Sequence, residues 1–185
     1  RTSVLVSGLI TFIAAVHYYY MRGYNLETGD SPTFFRYVDW ILTVPLMCVE
    51  FYLITKKAGA TTSLLWKLIL ASVVMLVTGF FGEATDRDNS VLWGVISGAA
   101  YFYIAYLVWF GEVATLSQSA GPSVAKATRI LAWFVLVGWA IYPLGYIIGT
   151  PGGLFGAFGS EANNPWMDVV YNIGDAVNKI GFGLV

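Results

Sequence analysis

Cysteine is nearly missing from this chain of 185 residues. The one present, Cys48, lies in an apolar run, so no disulfide forms within the chain and no cysteine-built metal centre is available. Charge is scarce too, at 11% of residues, and ten Lys+Arg against eleven Asp+Glu leave a net charge of -1. A polyanion binder needs a concentrated basic face, so nucleic acid is excluded as a partner. There is no internal repeat, no low-complexity tract and no linker long enough to divide the chain, which leaves a single domain over 1–185. The opening "RTSVLVSGLITF" lacks both the signal-peptide pattern and an initiator Met. The first span is therefore expected to be a membrane helix inside a longer protein.

What the chain does have is apolar length. Hydrophobic residues make up 57% and aromatic residues 17%, too much for an ordinary soluble domain. Crossing the hydrocarbon core takes ~20 apolar residues at ~1.5 Å rise, and the segments 3–21, 33–54, 64–82, 91–110, 124–149 and 167–185 meet that length. The expected fold is an all-α, polytopic transmembrane bundle with polar or Gly/Pro-bearing connectors. Arg1, Lys56, Lys57, Lys67, Lys126 and Arg129 fall on one side of these spans and Arg22 and Arg87 on the other, where Glu27, Asp30, Asp86, Asp88 and Glu161 gather. Cytoplasmic loops carry the basic excess, so the Lys56 and Lys126 loops are expected inside. The second span then runs inward, with Asp39 toward the exterior and Glu50 toward the cytoplasm.

Ionisable groups at membrane depth are costly and mark ion pathways or ligand counter-ions. In "RYVDWILTVPLMCVE" Arg36, Asp39, Thr43 and Glu50 follow at intervals of three, four and seven, so all project from one helix face. Asp39 and Glu50 stand roughly 16 Å apart along the axis, one acid on each side of the middle. In "YNIGDAVNKIGFG" Tyr171, Asp175 and Lys179 repeat every four residues, and "WAIYPLGY" sets Trp139, Tyr142, Pro143 and Tyr146 on one face. A buried lysine flanked by acids and walled by rings suits a covalently held, elongated, unsaturated ligand. The alternatives are a structural ion pair, an aromatic stripe that only packs, and a pigment-free transporter. Pro45 and Pro143 free the carbonyls of Ile41 and Trp139, and Pro143 offers a hinge. Glu83 reads as an interfacial charge.

"RYVDWILTVPL", "WAIYPLGY" and "DAVNKIGFGL", in this order, resemble helices C, F and G of the microbial rhodopsins, and "MRGYNLETGDSPTFFRYVDW" and "EFYLI" resemble the proteorhodopsin group. The resemblance covers essentially the whole chain and implies six of the family's seven helices, B to G, without helix A. It implies all-trans retinal bound to Lys179 as a protonated Schiff base. Asp39 becomes primary counter-ion and proton acceptor, Asp175 second counter-ion, Glu50 cytoplasmic proton donor, Thr43 the residue between the two acids, and Arg36 a group shaping the field at Asp39. His17 is implied to hydrogen-bond Asp39 and share its proton. The remaining pocket is implied at Trp40, Met47, Met75, Gly79, Trp93, Gly94, Ser97, Trp139, Tyr142, Pro143, Tyr146 and Tyr171.

The implied activity is a light-driven outward proton pump in the plasma membrane of a prokaryote, a transporter rather than an enzyme. Its expected partners are the lipid bilayer, retinal and further copies of the chain as a homo-oligomer, with no metal. Met47 implies green absorption by its similarity to that group. Gly94 implies a window for a carotenoid antenna, by similarity to rhodopsins of the xanthorhodopsin kind. A retinal photosensor shares Lys179 and Asp39 but needs no efficient donor, so Glu50 favours pumping.

Overall fold

The computed structural model describes residues 2–149 and 165–185. Every regular element among them is helical: α1 Thr2–Thr28, α2 Thr33–Thr55, α3 Thr62–Phe80, α4 Ser90–Trp109, α5 Glu112–Ser119, α6 Pro122–Trp133, α7 Ile141–Gly149 and α8 Pro165–Gly183. Consecutive helices pack side by side from α1 to α4, α7 lies against α8, and α8 returns to α1. That return brings the acids of α2 and the lysine of α8 within one bundle. Arg1, Glu161 and most of the connector before α8 lie outside the described residues.

On α2 and α8 burial differs from that of a protein in water, with charged groups inside and apolar side chains exposed. On α8 the inward face holds Tyr171, Asp175, Asn178 and Lys179, while Val169, Ile173, Val177 and Ile180 are exposed. On α2 Arg36, Asp39, Thr43 and Glu50 are buried, and Phe34 and Leu42 are exposed. Polar groups inward and apolar groups outward is the arrangement lipid demands, since hydrocarbon solvates no charge. The five stretches Thr2–Thr28, Thr33–Ala58, Thr62–Thr85, Arg87–Ser119 and Pro122–Ile147 are long and apolar enough to cross a membrane. The sixth expected span, α8, carries Asp168, Asp175 and Lys179 over 19 residues and buries the last two, with Asp168 half-buried.

Several expected boundaries move. The first helix runs past 21 to Thr28, because "RGYNLET" contains no residue that forbids helix except Gly23; the chain turns at Gly29, whose φ of 74° is left-handed. Part of the connector at 111–123 folds as α5, and Lys67 of α3 pairs with Glu112 at its start. A π turn at Phe134–Gly138 interrupts the fifth span before α7 begins. The Trp139 carbonyl that Pro143 cannot satisfy accepts instead from Tyr142 N–H at 3.1 Å.

Candidate functional site

The site is built where α2 faces α8. Lys179 Nζ hydrogen-bonds Asp39 Oδ2 across the bundle and Asp175 Oδ2 at 2.8 Å, one turn back on its own helix. All three are buried, with Asp39 and Asp175 at 0% exposure. Asp175 is held by more donors: Tyr18 OH at 2.7 Å, Tyr142 OH at 2.5 Å and Trp40 Nε1 at 3.1 Å. Asp39 is less committed, for its Oδ1 is buried without a hydrogen-bond partner. The carboxylate with spare acceptor capacity is the one able to take a proton from Nζ.

Thr43 Oγ1 donates to the carbonyl of Asp39 at 2.9 Å, so it braces the helix there and does not touch either carboxylate. Glu50 sits apart from the lysine cluster. Ser7 Oγ donates to its Oε1 at 2.6 Å and Ser3 Oγ to its Oε2, both from α1. The two acids of the α2 face therefore occupy separate polar chambers, as their axial spacing requires.

One implied contact differs, and Arg36 takes partners that the sequence did not name. His17 Nδ1 stands 3.8 Å from Asp39 Oδ1, too far for a hydrogen bond, because the same nitrogen is engaged with the Ile13 carbonyl at 2.9 Å. Arg36 turns outward: its hydrogen bonds go to Asp168 at 2.7 Å and Asn172 at 2.9 Å. Glu83 is half-buried and accepts from Tyr37 OH at 2.8 Å, so it faces inward more than an interfacial charge does.

A cavity of about 660 Å³ lies among α2, α3, α4, α7 and α8. Trp40, Met75, Gly79, Gly94, Ser97, Trp139, Tyr142, Pro143, Tyr146 and Tyr171 line it. Its wall on α4 runs from Ser90 to Phe102, ~18 Å along the axis, so the space is elongated. Trp40 and Tyr142 line it and also donate to Asp175, which puts Asp175 and its partner Lys179 directly behind that wall. The size and apolar lining match a small-molecule site, and the buried amine with an unfilled carboxylate oxygen supplies one polar end. The lining residues thus fit an elongated apolar ligand, and Lys179 lies behind the Trp40 and Tyr142 wall of that space.

Two residues assigned to the pocket by resemblance are elsewhere. Met47 is buried in the core and does not line the cavity. Trp93 stacks on Phe81 and donates its indole N–H to Asp86 Oδ2 at 2.9 Å, because that donor finds its acceptor at the outer rim. The indole N–H, followed by Asn89, holds the Asp86 carboxyl below its ordinary range. Beside Gly94 a Cβ would stand 2.8 Å from the Tyr146 ring, so this glycine admits that ring.

Sequence reasoning overlooked Tyr18, Ser3, Ser7, Asp168, Asn172 and Asn178. Ser3 and Ser7 are spaced by four on one face of α1, and Asp168 lies two turns before Asp175. Those periods were the available signals; their partners were not.

The family described as Bacteriorhodopsin-like protein matches residues 1–185. The chain belongs to the bacteriorhodopsin-like family. Within that family it is 46% identical over 188 residues to the green-light absorbing proteorhodopsin of Gamma-proteobacterium EBAC31A08, covering 100% of this chain and 72% of the relative. It is 47% identical over 187 residues to the blue-light absorbing proteorhodopsin of Gamma-proteobacterium Hot 75m4, with the same coverage. The crystal structure of Exiguobacterium sibiricum rhodopsin superposes with a TM-score of 0.82 at 35% identity, over 100% of this chain and 79% of that one. Its identity to the green-light and to the blue-light absorbing relative is nearly equal, so the comparison favours neither colour.

Proposed function

We propose that the chain is a light-driven outward proton pump carrying all-trans retinal. The observation that carries the reading is the division of acids on one helix: Asp39 meets Lys179, and Glu50 is held apart by two serines of α1. A sensor needs the first acid; a pump needs both. Bound through a Schiff base to Lys179, retinal supplies light absorption and an isomerisation that lowers the proton affinity of Nζ.

The chain's residues do the rest. Asp39, with one oxygen on Nζ and the other free of hydrogen bonds, accepts the proton. Asp175, held by two tyrosines and a tryptophan, keeps a fixed place beside Nζ. Glu50 holds a proton on the opposite side and returns it to Nζ, so sidedness follows from the roughly 16 Å between the two acids. Trp40, Trp139, Tyr142 and Tyr171 confine the ligand and exclude water.

The proposed setting is the plasma membrane of a prokaryote, with the Lys56 and Lys126 loops cytoplasmic by their basic excess and further copies as neighbours in a homo-oligomer. The proposed colour is green, on the apolar side chain of Met47. A carotenoid antenna at Gly94 requires Tyr146 to leave the place it fills. The test of the pump is to express the chain in cells, add retinal and follow external pH under illumination, with and without a protonophore. Acidification abolished by the protonophore is expected; a visible pigment with no light-driven pH change defeats pumping.

A further inference from the structure

Arg36 is only 1% exposed, yet its donors are spent away from Asp39, its neighbour one turn along α2. Nη2 donates to Asp168 Oδ1 at 2.7 Å, Nη1 donates to Asn172 Oδ1 at 2.9 Å, and the guanidinium carbon stands 5.0 Å from the centre of the Tyr171 ring. Asp168 also accepts from Ser31 Oγ at 2.7 Å, and 20% of its side chain remains exposed. It lies seven residues before Asp175, ~10 Å further out along α8. A buried guanidinium without an acid is an uncompensated charge, and Asp168 is the acid in direct contact with it among the described residues.

The charges around this pair are few. Asp39 is faced by Lys179 and Asp175 from α8 and by His17 from α1. Arg36 is also within electrostatic reach of Glu83 at the end of α3 and of Tyr18 on α1, but Glu83 takes the Tyr37 hydroxyl and Tyr18 donates to Asp175.

We propose that Asp168 is a positioning residue that holds the Arg36 guanidinium toward the outer end of α2, away from Asp39, and so sets the pH at which Asp39 takes up a proton. The inference rests on the pump reading, in which Asp39 is the counter-charge to Lys179. Released from Asp168, the guanidinium is free to turn along α2 toward Asp39. A cation brought to ~6 Å from a carboxylate at an effective dielectric of ~20 favours its ionised form by about two pH units. A role as a distant fixed charge leaves a different signature: removing Asp168 then has the same effect whether or not Arg36 is present.

The experiment is a dark absorbance titration of the retinal-reconstituted chain, reading the midpoint of the colour change that follows protonation of Asp39. Wild type, Asp168→Asn, Arg36→Gln and the double variant are compared. Asp168→Asn is expected to lower the midpoint by about one pH unit or more. Added to Arg36→Gln, it is expected to shift the midpoint less than half as far, and Asp168→Glu, which keeps the charge, to stay near wild type. An unmoved midpoint, or equal falls in both backgrounds, overturns the proposal. Should Asp168→Asn not assemble, Asn172→Ala removes the other acceptor of the guanidinium and is expected to lower the midpoint by a smaller amount; no movement there overturns the proposal equally. A wild-type chain that forms no pigment sinks the pump reading and this inference with it, whereas a normal pigment with an unmoved midpoint sinks the inference alone.

Discussion

Lys179 Nζ lies 2.8 Å from Asp175 Oδ2 on its own helix and bonds Asp39 on another, so one cation holds two carboxylates that are unequally supported. Three further donors fix Asp175, whereas Asp39 keeps a bare oxygen. That inequality is the geometric ground on which Asp39 is proposed as the proton acceptor and Asp175 as the fixed partner.

Removing the amine is the first expectation. Lys179→Ala abolishes covalent pigment, and because it leaves two buried acids facing each other without their cation it also destabilises the fold by ~3–5 kcal/mol. The measurement is absorbance after washing, with hydroxylamine reactivity as the control. A visible band that persists at wild-type hydroxylamine rates removes Lys179 from the site.

The two acids separate by step. Asp39→Asn is expected to red-shift the pigment and stop pumping. Glu50→Gln is expected to keep the colour and slow reprotonation, with added azide restoring the rate. Flash spectroscopy decides it, and light-driven acidification that survives both changes refutes the proton path.

The serines of α1 bear on the donor step. Ser7→Ala deletes a hydrogen bond of 2.6 Å to the protonated donor Glu50, of the neutral kind worth ~0.5–1.5 kcal/mol. The late reprotonation phase is therefore expected to change by about two- to tenfold, with absorption maximum and early proton transfer unaltered. Equal late rates in Ser7→Ala and wild type take α1 out of the donor chamber.

Colour is expected to respond to Met47→Gln with a blue shift, since a buried amide alters the field felt along the cavity. Met47 does not line that cavity, so the effect has to act through the core layer. An unchanged maximum ends its role in tuning.

Gly94 tests the antenna. Gly94→Trp forces the Tyr146 ring aside, because even a Cβ meets it at 2.8 Å. If a hydroxylated carotenoid binds the wild type, the pumping action spectrum gains a carotenoid-shaped shoulder, and Gly94→Trp loses it. No binding by the wild type leaves the glycine as a seat for Tyr146.

The sequence by itself determined the membrane class, the shared face of Arg36, Asp39, Thr43 and Glu50, and the pairing of Asp175 with Lys179, because helical periodicity is a local property and charge is rare enough in apolar spans to stand out. Only the tertiary structure decided which partner each group takes. That Arg36 reaches Asp168, that Ser3 and Ser7 hold Glu50 and that Tyr18 supports Asp175 all depend on how α1 and α8 rotate against their neighbours. Helix α5 and the π turn before α7 were likewise seen only in the structure. Periodicity names the face a residue occupies; the residue it meets there is set by the packing of a second helix, whose register no single segment encodes.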